Sequence, residues 1–88
     1  MAARAPDAKQ LIAEYIEENP NVPGAADAWI RDRGVPVWAV IDQYEATGRD
    51  AAAVARAYRI PRAAMDAALA YYRRHRAVIK ARIDANAA

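Results

Sequence analysis

The stretch Asp50-Ala51-Ala52-Ala53-Val54-Ala55-Arg56-Ala57-Tyr58-Arg59-Ile60-Pro61-Arg62-Ala63-Ala64-Met65-Asp66-Ala67-Ala68-Leu69 decides how this chain folds. Asp50 reads as a helix N-cap, since its carboxylate can accept the orphan N–H groups of a first turn. A helix over 51–58 follows, with Val54, Ala55 and Tyr58 inward. Tyr58-Arg59-Ile60 makes a turn, and Pro61 opens a second helix, where its missing N–H is not needed. Met65 and Leu69 are the inward residues of that helix. The spacing is that of a helix-turn-helix, in which a small residue such as Ala55 sits where the two helices cross. The usual turn glycine is replaced by Arg59.

Downstream, no Pro or Gly interrupts the chain from Arg62 to Asn86. One continuous helix is expected there, on the order of 39 Å long, which is longer than a domain of this size is wide. Met65, Leu69, Tyr72, Arg76, Ile79 and Ile83 follow in steps of 4, 3, 4, 3 and 4, a heptad-like seam interrupted by the arginine. The first half can pack on its own domain. The second half, with Val78, Ile79 and Ile83, is expected to project and to need a cover.

Upstream, Pro36 is read at the first position of a helix bearing Val37, Trp38, Ile41 and Tyr44 on one face, stopped by Gly48. Residues 1–7 read as a loose arm, with Asp7 able to cap a helix from Ala8. Leu11, Ile12, Tyr15 and Ile16 give a helical stripe over 8–18, although Tyr15-Ile16-Glu17 is equally compatible with a strand. Two prolines and a glycine between Asn19 and Gly24 make a turn. Ala28-Trp29-Ile30-Arg31 is a strand candidate that would pair with 15–17 in a small ribbon, lying on the helices because such a ribbon is barely stable alone. The expected fold is therefore mainly α: a homeodomain-like, helix-turn-helix trihelix with a short N-terminal strand pair and a long C-terminal helix. Residues 1–34 form the arm and 35–88 the helical domain. Trp29, Ile30, Trp38, Ile41, Leu69 and Tyr72 are the core positions, open also to a dimer contact.

Composition narrows the function. The 88 residues make one small domain, burying only about 60% of the unfolded surface. Alanine supplies 25 of the residues and Phe none, so the large-residue core is thin. There is no Cys and no Ser, and Thr47 is the only aliphatic hydroxyl, so thiolate sites, disulfides, serine triads and P-loops are excluded. His75 is the only histidine and has no second ligand at i±3 or i±4, so no metal site is expected. Glu14, Glu17 and Glu18 are an acidic cluster, but paired-carboxylate catalysis needs a cleft this chain can hardly form. We expect no enzyme activity, no catalytic residue and no cofactor. No apolar run reaches the roughly 18 residues of a membrane span and no signal-peptide pattern is visible, so the expectation is a cytoplasmic protein.

Charge is unevenly distributed. Residues 1–50 carry five basic and nine acidic side chains, whereas residues 51–88 carry eight basic and two acidic. Such a division suits an anionic partner for the second half, or pairing of opposite halves across a dimer. Arg56, Arg59, Arg62, Arg73 and Arg74 are candidate DNA-phosphate contacts. The outward face of the second helix, read as Arg62, Ala63, Asp66, Ala67 and Ala70, is a poor set of base readers, and Asp66 is placed to pair with Arg62. The run Tyr71-Tyr72-Arg73-Arg74-His75-Arg76 suits base stacking or, equally simply, a seam tyrosine beside a solvated arginine face.

Four features occur in a telling order: Val35-Pro36-Val37-Trp38, the Gly48 break, Val54-Ala55 ahead of Tyr58, and Ala67-Ala68-Leu69-Ala70-Tyr71-Tyr72. Together they resemble the bacterial domain-of-unknown-function family 433, considered VapB-like antitoxins, over residues 12–86. That family has a Gly-Thr-Arg lead before Ile-Pro-Val-Trp; here it is Asp32-Arg33-Gly34, so no role of that arginine carries over. The resemblance implies an antitoxin of a type II toxin–antitoxin pair that dimerises, blocks a PIN-like ribonuclease toxin and represses its own operon by binding DNA. Such nucleases hold metal ions in clustered carboxylates. Lys80 and Arg82 would then place cations near that cluster while Val78, Ile79 and Ile83 fill a groove. The rival expectations are a stand-alone DNA-binding regulator and a helical dimerisation module.

Overall fold

The computed structural model describes residues 7–87, so the arm expected over residues 1–7 lies outside them except for Asp7. Asp7 begins the first helix, α1 (Ala8–Tyr15), with a capping box. The Gln10 N–H donates to Asp7 Oδ1 at 2.8 Å, and the Asp7 N–H donates to Gln10 Oε1 at 3.2 Å. At Ile16 the backbone becomes extended and strand β1 (Ile16–Glu17) begins. The choice between helix and strand over 8–18 is thus settled as one followed by the other. The switch drives the Ile16 side chain inward, where it is buried, opposite Ile30 in the register.

Bends through Pro20 to Gly24 and a 3-10 turn (Ala25–Asp27) lead to β2 (Trp29–Ile30). A tight turn over 31–34 then returns the chain as β3 (Val35–Pro36). The expected strand pair is therefore a three-stranded antiparallel sheet in the order β1-β2-β3. Sequence missed the third strand because Pro36 looks like a helix start. Its absent N–H is tolerated equally on an edge strand, where it pairs with Trp29. The same residue is the N-cap of α2 (Val37–Ala46), whose first N–H donates to Ala28 O at 3.0 Å.

Gly48 terminates α2 as expected, at φ 75°, and the Arg49 N–H closes the cap on Tyr44 O at 2.9 Å. Asp50 caps α3 (Ala51–Tyr58) by accepting from the Ala53 N–H at 3.0 Å. At the turn, Arg59 takes the left-handed conformation that glycine usually supplies, at φ 56°. Its N–H serves the carbonyls of Ala55 and Arg56, and the Ile60 N–H also returns to Ala55 O. Pro61 then caps α4 (Arg62–Arg74).

The continuous terminal helix does not form. His75 leaves helical geometry (φ −129°, ψ 34°) and separates α4 from α5 (Arg76–Ala87). The break is local: the His75 N–H is shared between Tyr71 O and Tyr72 O, and His75 O already accepts from the Ile79 N–H. No residue in this stretch forbids helix, so the cause is tertiary. Bending here lays α5 back along α2 and the 3-10 turn and buries Ile79 completely. The helix end expected to project is folded onto its own protomer.

The expectation of a thin core is also revised, because alanine is itself core material. Ala64, Ala67, Ala68 and Ala70 of α4 are all buried, which lets α1, α2 and α3 approach α4 closely. Ala67 and Ala70, read from sequence as outward, belong to a helix along which α1 packs. The boundary drawn at residue 34 falls inside the β2–β3 hairpin. Ile16, Ala28 and Ile30 from one side of it share a core with Val37, Ile41, Val54, Met65 and Ile79 from the other.

Candidate interaction surface

Three groups of arginines stand apart on the surface. The first is on α5. Arg82 is half-buried; its Nε donates to Asp27 Oδ1 at 3.1 Å, and its guanidinium lies 4.5 Å from the Trp38 ring centroid. Of the five residues expected to meet a toxin, Ile79 is fully buried and Arg82 is engaged inside the chain. Ile83 is half-buried against the core, whereas Val78, 43% exposed, and Lys80 face solvent. The five do not form one outward surface. A single helix cannot present Ile79 to both its own core and a partner.

The second group runs from the end of α4 into α5. Arg73, Arg74, Arg76 and Lys80 are exposed and join no ion pair among the described residues. Arg76 rests 5.3 Å from the Tyr72 ring centroid. Beside this row runs a shallow groove between α2 and α4–α5, floored by half-buried Tyr44, Leu69, Tyr72 and Ile83 and lined also by the carboxylates of Asp42, Glu45 and Asp84. The heptad-like seam of the sequence is thus divided by the break at His75. Met65 and Ile79 turn into the core, while Leu69, Tyr72 and Ile83 line the groove.

The third group is at the opposite end of α4. Arg56 and Arg59 are exposed, and Arg62 pairs with Asp66 at 3.1 Å, the i,i+4 contact read from sequence. Arg62 and Arg73 are eleven residues apart on α4, roughly 16 Å along the axis at 1.5 Å per residue. The five arginines grouped as DNA contacts therefore fall into two separate sets. Arg33, which was not among those five, joins Arg56, Arg59 and Arg62: its Nη1 donates to Arg59 O at 3.3 Å. Nothing in the sequence signals a contact across 26 positions.

The six core or dimer candidates also divide. Ile30 and Ile41 are buried outright. Trp29, Trp38, Leu69 and Tyr72 are half-buried, with the Trp29 indole N–H donating to Glu17 Oε1 at 3.2 Å. Tyr71, expected only to flank the seam, is the buried tyrosine. Its hydroxyl donates to Ala25 O at 2.9 Å and its ring lies 4.3 Å from that of His75. Burial raises the phenol above its ordinary pKa, and the Glu18 carboxylate adds to the shift. Its spacing of three from Ala68 and seven from Ala64 was the signal available in sequence. Tyr71 also closes one side of a cleft of about 240 Å³ lined by Ile12, Ile16, Ala25 and Ala28, with Glu17 and Glu18 beside it.

Among the described residues no group of three or more His, Cys, Asp or Glu is placed to hold a metal ion. No helix among them is long and apolar enough to cross a membrane. The fold and surface define a small, mainly helical protein with a three-stranded antiparallel sheet and clustered surface arginines. The family model described as "Protein of unknown function (DUF433)" matches residues 16–72, more than half of the chain, and the chain belongs to that family. No curated protein and no solved structure matches it.

Proposed function

We propose that this protein is the antitoxin of a type II toxin–antitoxin pair, a helix-turn-helix-like, VapB-like protein that binds and blocks a PIN-like ribonuclease. The observation that carries this reading is the row Arg73, Arg74, Arg76 and Lys80, exposed and without a carboxylate partner among the described residues. A nuclease whose metal ions sit among clustered carboxylates presents the complementary field, and cations arranged this way steer encounter and fix orientation. The half-buried floor formed by Leu69, Tyr72 and Ile83 supplies apolar contact beside the charges. Ile79 and Arg82 leave the contact set and act as the anchors that hold α5 in place.

The test is co-expression with a candidate PIN-like nuclease, scoring rescue from growth arrest, together with direct binding of the purified pair. The double substitution Arg76→Glu with Lys80→Glu is expected to abolish rescue and weaken binding by at least tenfold at unchanged helicity. Full rescue by a folded double variant overturns the reading.

A further inference from the structure

The cleft beside Tyr71 is walled by small and apolar groups. Ile12 of α1, Ile16 of β1, Ala25, Ala28 and the Tyr71 ring enclose a volume of about 240 Å³. Space remains because Ala25 and Ala28 contribute only a methyl group each. The Tyr71 hydroxyl is engaged with Ala25 O at 2.9 Å, and among the described residues no buried side-chain N or O lacks a partner. The walls therefore offer an occupant apolar surface rather than side-chain hydrogen bonds. Benzene fills a cavity of about 150 Å³, so a ring bearing a short chain matches this one.

The carboxylates around the mouth differ in how they are compensated. Glu17 accepts from the Trp29 indole N–H at 3.2 Å and pairs with Arg31 at 3.5 Å. Asp27, on the 3-10 turn, pairs with Arg82 at 3.1 Å. Glu18 has no Lys, Arg or His within ion-pair distance among the described residues. Its Oε1 accepts from the Gly24 N–H at 3.0 Å, which ties together the two ends of the 19–23 loop and fixes the rim in place. Its charge reaches into the cleft: after desolvation by burial, it is what raises the Tyr71 phenol pKa. A preformed apolar cleft thus carries one carboxylate without a counter-charge at its edge, a field that repels anions and attracts a cation.

We propose that this cleft is a binding site for a small organic monocation, a primary amine carrying one aromatic ring or an apolar body of similar size. The ring lies against Tyr71 and the two alanines, and the ammonium reaches Glu18. Glu18 Oε2 makes no hydrogen bond among the described residues, so an ammonium can donate to it while Oε1 stays with Gly24. None of Arg73, Arg74, Arg76 and Lys80 lines the cleft, so this inference and the toxin-binding reading fail independently.

The experiment titrates the full chain with phenethylamine at neutral pH and follows the backbone amide signals of Gly24, Ala25 and Ala28 by NMR. A saturable shift with a dissociation constant on the order of 1 mM is expected for so small a ligand in an open cleft. Phenylacetate, of similar shape and opposite charge, and ethylamine, the cation without the ring, should each bind at least about fivefold more weakly. Glu18→Gln keeps the acceptor for the Gly24 N–H and should weaken the amine about threefold, leaving neutral phenethyl alcohol unaffected. Salt at about 1 M should remove the same increment, because a contact at the rim is screened. Ala25→Leu, which fills the cleft, should abolish the shifts in a chain that still unfolds cooperatively. Glu14→Gln makes the same charge change on α1 without lining the cleft, and should bind as the unaltered chain does. Absence of a saturable shift up to about 20 mM amine overturns the proposal. So do equal binding of phenylacetate, undiminished affinity in folded Glu18→Gln or Ala25→Leu, and an equal loss in Glu14→Gln, which would assign the effect to the general field of the acidic half.

Discussion

Arg82 of α5 lies with its guanidinium 4.5 Å from the centroid of the Trp38 ring of α2. Its Nε holds Asp27 in the same posture, at 3.1 Å, so one side chain ties α5 to both α2 and the 3-10 turn. Both partners of the ion pair are half-buried, which weakens solvent screening of the contact. This latch, with Ile79 beneath it, is why the C-terminal helix lies down instead of reaching outward.

Arg82→Ala should therefore lower stability by about 1–2 kcal/mol in urea unfolding, by loss of the cation–π contact and of a shielded ion pair. Arg82→Lys should fall between, because an ammonium keeps the charge but not the planar fork. A midpoint unchanged in Arg82→Ala would mean that apolar burial alone docks the helix.

Ile79→Ala should cost about 2–4 kcal/mol, since a fully buried side chain leaves a cavity. Val78→Ala, one residue away and exposed, should stay within about 0.5 kcal/mol. Thermal unfolding of the two variants distinguishes a docked α5 from a projecting one, for which neither change should matter to the isolated chain.

Ala67→Leu should destabilise by about 1–3 kcal/mol, because α4 has no room for three further carbons at a position of 0% exposure. Ala57→Leu, on the exposed face of α3, is the matching control and should be nearly neutral by the same measurement.

Tyr71 gives a pH signature. Its folded-state pKa is raised, first by burial and then by Glu18, so the folded chain retains a proton that the unfolded chain loses as pH passes the ordinary phenol value. Its contribution is complete below about pH 10 and is lost as pH rises through the folded pKa. Stability should thus fall in that alkaline window. Tyr71→Phe should show a shallower fall and, at neutral pH, a cost of about 1 kcal/mol for the missing hydrogen bond to Ala25 O. An equally steep alkaline fall in Tyr71→Phe would assign the effect to another group.

Asp50→Ala should cost about 1 kcal/mol through loss of the α3 cap to the Ala53 N–H, read by the same unfolding assay.

Much of the architecture was legible in the residues themselves. Asp7, Gly48 and Asp50 mark helix ends because capping is a local matter of one side chain and the adjacent turn. The bounds of α3, the turn after it, the Arg62–Asp66 pair and the strand character of Trp29-Ile30 follow in the same way. The candidate surfaces were legible only as residue types. That Arg33 meets Arg59, that Tyr71 and not Tyr72 is buried, and that Arg62 and Arg73 lie far apart depend on how the elements dock.

Sequence by itself determined a mainly helical chain with punctuated ends, because capping and periodicity act within a few residues. Only the tertiary structure decided that the final helix breaks at His75. Residues 62–86 contain nothing that forbids a continuous helix, and the bend is favoured by burying Ile79 and by seating Arg82 on Trp38, a contact made across 44 positions. The same docking turned the alanines of α4 from apparent surface into core, since a small side chain is buried only when a neighbouring helix comes close enough to cover it.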